Sequence, residues 1–327
     1  MNVTGMNDTQ DKPYRSYLEN SYIPVTIVVV VALCLCIVGL VGNVIVFWYL
    51  CFKNQRNKYE VYIMNLSVAD ALFIIFTTLL LMLQINTIKG TDPDFIGKES
   101  LYLFIEIFYD TMQYSGMYIL TAVSMERCSS VLFPFWYRSH RPRNLSTIMC
   151  IALWILGSLE SLLKNLACTE DAFLEQTSQC LAVQIIVFIL AIGICLPIMV
   201  ISSFTLLIKV KRSLNQRYTP KLYIIILIAV LVFILSVLPF TFLSFLLYLK
   251  LTPTDSATVI NFYVSTYCTV LNCAANPYIY FIVGRKWKQK TPHSIQEALQ
   301  RAFRDEPNTP GSVCTRTFER TEGSHKL

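Results

Sequence analysis

Residues 100–134 read SLYLFIEIFYDTMQYSGMYILTAVSMERCSSVLFP. The run is apolar enough to cross a bilayer, yet it closes on Glu126-Arg127-Cys128, just before Val131-Leu132-Phe133-Pro134. An ionisable pair at the edge of hydrocarbon is costly and marks a functional site by default. Stepping back from Arg127 by three and four residues reaches Ser124, Leu120, Met117, Gln113, Asp110 and Glu106. That is one helical stripe with a cation at one end and carboxylates at the other. Such a rod can connect events on two faces of a membrane. The plainer reading is a buried helix whose charges merely satisfy one another.

Outside this stretch the composition repeats the message. Of 327 residues, 54% are hydrophobic and only 15% charged, more apolar than a soluble core requires. No Asp, Glu, Lys, Arg or His interrupts residues 23–52, 181–208, 222–249 or 256–283. Each run is long enough to cross about 30 Å of hydrocarbon at about 1.5 Å per helical residue. Three further segments carry a few charges: 61–85 with Asp70, the 100–134 stretch, and 147–168 with Glu160 and Lys164. The expected fold is an all-α membrane protein, a seven-transmembrane helix bundle over 23–283, preceded by an extracellular tail over 1–22.

Orientation follows from the basic residues. Lys53, Arg56, Lys58, Arg138, Arg141, Arg143, Lys209, Lys211, Arg212, Arg217, Lys221, Arg285, Lys286 and Lys288 fall on alternate connections, which places those connections in the cytosol and the N-terminus outside. The net charge of +6 is therefore a membrane-surface asymmetry, not a nucleic-acid signal. On the opposite side acids outnumber bases, which steers cations inward. Asn2 and Asn7 head acceptor sequons on the outward tail and are the glycosylation candidates.

The eleven cysteines show no metal-ligand spacing, and no metal site or cofactor is expected. Cys168 and Cys180 bracket a polar outer loop in an oxidising compartment, and a bridge between them would tie the fourth span to the fifth. Within the spans, Asn43, Asp70, Asn272 and Asn276 read as one polar cluster at mid-membrane, either a sodium site or a hydrated structural network. Gly116 on the third span offers no hydroxyl to such a site. Pro197, Pro239 and Pro277 interrupt the fifth, sixth and seventh spans, as static kinks or as hinges. Beyond them, residues 284–305 form an amphipathic pattern suited to the inner leaflet, so membrane lipid is a partner. Residues 306–327 form a Ser/Thr-rich cytosolic tail unlikely to fold, with phosphorylation candidates.

Taken together, Gly42-Asn43, Asp70 in Leu66-Ser67-Val68-Ala69-Asp70, Glu126-Arg127-Cys128, Trp154, Pro197, Pro239 and Asn276-Pro277-Tyr278-Ile279-Tyr280 resemble the rhodopsin-like (class A) G protein-coupled receptors. The run from Met125 through Phe133-Pro134-Phe135-Trp136-Tyr137 to Arg143 looks like the Mas-related branch. The resemblance implies a heterotrimeric G protein as partner, with Glu126, Arg127, Pro134 and Tyr280 carrying the coupling, and arrestin and receptor kinases at the tail. It also implies the Cys168–Cys180 bridge, since Tyr102 stands where most such receptors have a third-span cysteine. Val237 replaces the usual sixth-span Trp, and Thr219 stands where many relatives put an acid that clamps Arg127. Arg127 is thus expected to keep Glu126 as its one evident partner, with weak restraint of the inactive state.

The ligand is harder to read. Tyr109 stands where amine receptors place an Asp, and Val270 where opsins hold a retinal-bearing Lys. Glu106 and Asp110, four residues apart, can meet an ammonium or guanidinium together, or Asp110 can instead pair with Lys164. In Mas-related members that accept strongly basic peptides, acids occupy the places held here by Lys164 and Gln184. An extracellular peptide or small cationic ligand fits best, touching Glu106, Tyr109, Asp110, Gln113, Glu160 and Lys164; a lipid or acidic ligand on Lys164 is the alternative. Catalysis is not expected, because all three histidines lie on the cytosolic side. A transporter is disfavoured by the absence of an internal repeat.

Overall fold

The computed structural model describes residues 11–53, 57–88, 97–169, 177–213, 221–249, 255–284 and 295–302. They form α1 (Asp11–Cys51), α2 (Lys58–Ile88), α3 (Lys98–Leu132), α4 (Pro134–Ser139), α5 (Leu145–Ala167), α6 (Ser178–Phe188), a π-helical segment (Ile189–Cys195), α7 (Leu196–Ser213), α8 (Lys221–Ser236), α9 (Leu238–Tyr248), α10 (Asp255–Gly284) and α11 (Ile295–Ala302). Among the described residues every regular element is helical, arranged as seven long rods; α6 with α7 make the fifth and α8 with α9 the sixth.

Apolar length explains most of these rods. Val30–Cys51, Lys58–Leu83, Leu145–Ala167, Ser178–Ile208 and Ile224–Leu243 are each long and apolar enough to cross a bilayer. α3 and α10 match them in length, and α3 buries three of its charges, Asp110, Glu126 and Arg127, while Glu99 and Glu106 are exposed. The outward residues are what lipid requires: Ile148, Ile151, Ile155, Leu159 and Leu166 along α5 are all more than half exposed. Inside, Leu50, Ile63, Ile119, Met199, Ile225 and Tyr280 from six different rods meet in one core cluster.

Local chemistry fixes the ends. Glu60, in the first turn of α2, accepts from the Asn57 backbone N–H at 2.9 Å and from Lys53 at 2.5 Å, which closes the start of that helix. Thr177 caps α6 by accepting from the Cys180 N–H at 3.4 Å. Cys180 is thereby held where it bonds Cys168 beyond α5, and the expected disulfide joins the fourth span to the fifth.

The three prolines act differently. Before Pro197 the chain widens into the π-helical segment, where the Leu196 N–H reaches back to the Ala191 carbonyl. At Pro239 the sixth rod breaks at Val237, because proline has no N–H for the carbonyl four residues earlier. Pro277 leaves α10 continuous, and the carbonyl it orphans, that of Cys273, accepts instead from Asn43 Nδ2 at 3.1 Å. α1 approaches closely here because a side chain at Gly39 would meet Ala274 Cβ at 2.8 Å.

Two expectations change. Residues 11–22, expected as tail, continue α1 as helix, with Pro13 tolerated in the first turn. Of the amphipathic segment the described helix is α11 at 295–302, and it buries Leu299 and Ala302 in the core cluster that also holds Tyr280, instead of offering them to lipid. Residues 285–294 and 303–327 lie outside the described residues.

Candidate functional site

The stripe on α3 does not point in one direction. At the disulfide end, Asp110 is buried and turned onto α5: Lys164 Nζ donates to both of its carboxylate oxygens at 2.9 Å, and Asn165 Nδ2 donates to Oδ2 at 2.9 Å. The Lys164 side chain is 32% exposed while that of Asp110 is 5% exposed. Lys164 also stands 6.0 Å from the Tyr114 ring centre. One turn further out, Glu106 is exposed. α5 supplies Asp110 with three hydrogen bonds from two side chains, and the Glu106 carboxylate acts on the same Lys164 ammonium from its exposed position. Of the two readings left open for Asp110, pairing with Lys164 is the one observed.

The same seam continues inward. Ser161 Oγ donates to the Ile107 carbonyl at 2.7 Å, and Tyr118 hydrogen-bonds Glu160, which is buried. Gly157 permits this closeness: a Cβ there would sit 2.9 Å from the Ser115 backbone nitrogen. Trp154 Nε1 donates to Asn65 Oδ1 at 3.1 Å, which ties the fourth span to the second. Tyr109 is half-buried, its ring centre 4.9 Å from that of Phe73 and its hydroxyl hydrogen-bonded with Thr266 of α10; Gln113 is half-buried a turn below.

At mid-membrane the four polar residues share one level but not one network. Asn276 Nδ2 donates to Asp70 Oδ2 at 2.8 Å, and Asn43 spends its amide on the Gly39 and Cys273 carbonyls. Asn272 is buried and, like Asn43 and Asn276, keeps a side-chain oxygen with no protein hydrogen bond. Among the described residues no group of three His, Cys, Asp or Glu comes together to hold a metal ion.

At the other end of α3 the guanidinium of Arg127 lies 3.9 Å over the Tyr59 ring, and both Arg127 and Tyr280 are buried, at 6% and 2% exposure. Glu126 meets Arg141 from beyond α4, with Nε 2.6 Å from Oε1. Arg127 thus lies on Tyr59 and Glu126 meets Arg141, where the sequence led us to expect Arg127 and Glu126 to pair with each other. Pro134 opens α4 at its first position, where its missing N–H costs nothing. Phe135 and Trp136 stand exposed beside it.

This arrangement of a disulfide-capped bundle, a buried Asp–Asn pair beside a seventh-span proline and a buried third-span Arg coincides with a known pattern. The family described as 7 transmembrane receptor (rhodopsin family) matches residues 42–280. The Mas-related G-protein coupled receptor member D of Macaca fascicularis is 36% identical over 285 residues, 86% of each chain, and that of Mus musculus 38% over 296 residues, 87% of this chain and 89% of its own. The proto-oncogene Mas of Mus musculus is 35% identical over 293 residues, 88% of this chain and 87% of its own. The chain belongs to the Mas-related G protein-coupled receptors.

In this receptor, sequence reasoning passed over Tyr59, Tyr118, Asn165 and the specific role of Arg141. Tyr118 had a signal: Asp110, Tyr114 and Tyr118 recur every four residues on the face that meets α5. Asn165 and Tyr59 had none beyond adjacency to Lys164 and Lys58. Asn2, Asn7 and Thr219 lie outside the described residues.

Proposed function

We propose that the receptor sits in the plasma membrane with its N-terminus and disulfide end outside, senses an extracellular peptide or small cationic ligand there, and activates a heterotrimeric G protein by movement of the sixth rod. The burial of both Arg127 and Tyr280 carries this reading: a partner protein reaches them only after the bundle opens at that end. The break at Val237 makes the sixth rod the element best suited to swing. Energetically the ligand selects an open form already in equilibrium with the closed one, and its preference for that form sets the response. Arrestin and receptor kinases engage residues 306–327, and Asn2 and Asn7 carry glycans.

A cationic ligand must take Asp110 from Lys164 and Asn165, with Tyr109 and Gln113 beside it, Glu106 at the rim and Glu160 below. A second reading rests on the one-third exposure of Lys164: an acidic or lipid ligand engages its ammonium directly and leaves Asp110 in place. GTP loading on a panel of α-subunits by the receptor in nanodiscs, screened with cationic peptides, amines and carboxylates, tests both. Lys164→Gln frees Asp110, so a cationic agonist gains about tenfold in potency, near 1.4 kcal/mol, whereas a carboxylate agonist loses as much. If no α-subunit loads GTP with any candidate, the coupling reading falls.

A further inference from the structure

The second cation on Glu126 has a consequence for coupling. Arg141 is as buried as Glu126, at 6% against 8% exposure, and it is tied down on several sides. Its terminal nitrogens donate to Ser146 Oγ at 2.6 Å, at the start of α5, and to the Pro142 carbonyl at 3.2 Å. Its guanidinium stands 5.3 Å from the Tyr137 ring centre. Burial, and after it the Glu126 charge, raise the Tyr137 phenol above its ordinary range. Lys58 reaches the same group, donating to the Tyr137 carbonyl at 3.4 Å. The Glu126 carboxylate is therefore met from the α4 connection by Arg141, while Arg127, the next residue on α3, lies over Tyr59.

The contact between Arg141 and Glu126 is close but oblique. Nε and Oε1 approach to 2.6 Å without making an aligned hydrogen bond. A buried carboxylate that loses one cation is strongly driven to find another, because an uncompensated buried charge is expensive. Arg127, the next residue on α3, is a second cation beside Glu126, and pairing the two requires both side chains to turn from their present partners.

We propose that Arg141 is a positioning residue for G protein coupling: by holding Glu126 from the α4 connection it keeps that carboxylate from clamping Arg127, and so sets how readily the bundle opens. The inference rests on the coupling reading above and deepens it.

The test is basal GTP loading by the full receptor in nanodiscs, without ligand, on whichever α-subunit wild type loads. Arg141→Gln lowers the basal rate ~5-fold, at the low end of ordinary coupling free energies, because Glu126 moves to Arg127. Glu126→Gln raises it. The double variant, which leaves no buried charge unpaired and therefore folds even where the single variant does not, returns to the level of Glu126→Gln. Arg141→Lys retains charge but not the planar fork, and falls between wild type and Arg141→Gln. If Arg141 only shaped the loop for docking, the double variant would stay as low as Arg141→Gln, and the proposal would be overturned. An Arg141→Gln rate equal to or above wild type overturns it too. A wild type that loads no α-subunit defeats the coupling reading itself and is recognised before any variant is made.

Discussion

Two buried ion pairs sit on the same helix, and they are built differently. Asp110 is met by Lys164 and Asn165, both projecting from one regular helix, with three aligned contacts at 2.9 Å. Glu126 is met by Arg141 from a connection, at 2.6 Å but off the hydrogen-bond axis. Buried pairs add little net stability when intact, because desolvation offsets attraction; what differs is the cost of exchanging partners. A carboxylate saturated by helix-mounted donors is a staple. One held obliquely from a loop, with a second cation on its own helix, is an exchangeable contact. The receptor accordingly joins a stiff α3–α5 seam at the disulfide end to a switchable group at the Arg127 end.

The largest effect should come from breaking the staple. Asp110→Ala strands Lys164 and removes one of the two acceptors of Asn165, which keeps the Ser161 carbonyl, and we expect a loss of about 2–3 kcal/mol. That is below the roughly 3–5 kcal/mol for a wholly enclosed pair, since Lys164 is one-third exposed and water screens it. Thermal unfolding in nanodiscs checks it, and Asp110→Ala with Lys164→Leu should recover most of the loss. If the single variant unfolds like wild type, the seam is not held by this pair.

Next comes the closeness that lets the seam form. Gly157→Ala drives a methyl into Ser115 Oγ and to 2.9 Å from its backbone nitrogen, so backbone as well as side chain must yield. Overpacking of this kind costs about 1–3 kcal/mol. Gly157→Ala with Ser115→Gly removes the hydroxyl but not the backbone clash and should recover only part of the loss. Full recovery would show that the spacing is set by the side chain alone.

How much of this was legible in the residues follows from the solvent. Lipid cannot hydrogen-bond a backbone, so spans must be long, apolar and helical, and the helices at the runs 23–52, 181–208 and 222–249 were legible as such, though not the start of α1 at Asp11 or the interruption at Val237. Cys168 and Cys180 were legible because only those two bracket a polar outer loop, and Asp70 with Asn276 because buried polar groups are scarce enough to seek each other. The rotation of α5 was not legible: Glu160 and Lys164 lie one turn apart, and sequence spacing leaves open which α3 acid each one meets. Arg141 was less so. It sits between Arg138 and Arg143 in a basic connection, and nothing in composition separates the arginine that turns inward from the two beside it. The π-helical widening before Pro197 likewise depends on packing against Tyr118 and its neighbours, and spacing carries no mark of it.

The smallest effect tests the switchable side of the comparison. Arg127 stacks on Tyr59 at 3.9 Å, a cation–π contact worth about 0.5–2 kcal/mol when shielded from water. On the coupling reading proposed above, a G protein that takes hold of Arg127 lifts it from the ring, so the contact belongs to the closed form. Tyr59→Leu keeps an apolar side chain in a site that is almost completely buried, removes the ring, and therefore shifts the equilibrium toward the open form. Basal GTP loading should rise by about threefold to tenfold, with Tyr59→Phe, which retains a ring, giving the smaller change. At the staple the argument runs the other way: Asp110 and Lys164 sit in the stiff seam, so Asp110→Ala with Lys164→Leu should alter unfolding far more than basal loading. Should Tyr59→Leu leave loading at the wild-type rate while that double variant raises it, the assignment of stiff and switchable ends would have to be reversed.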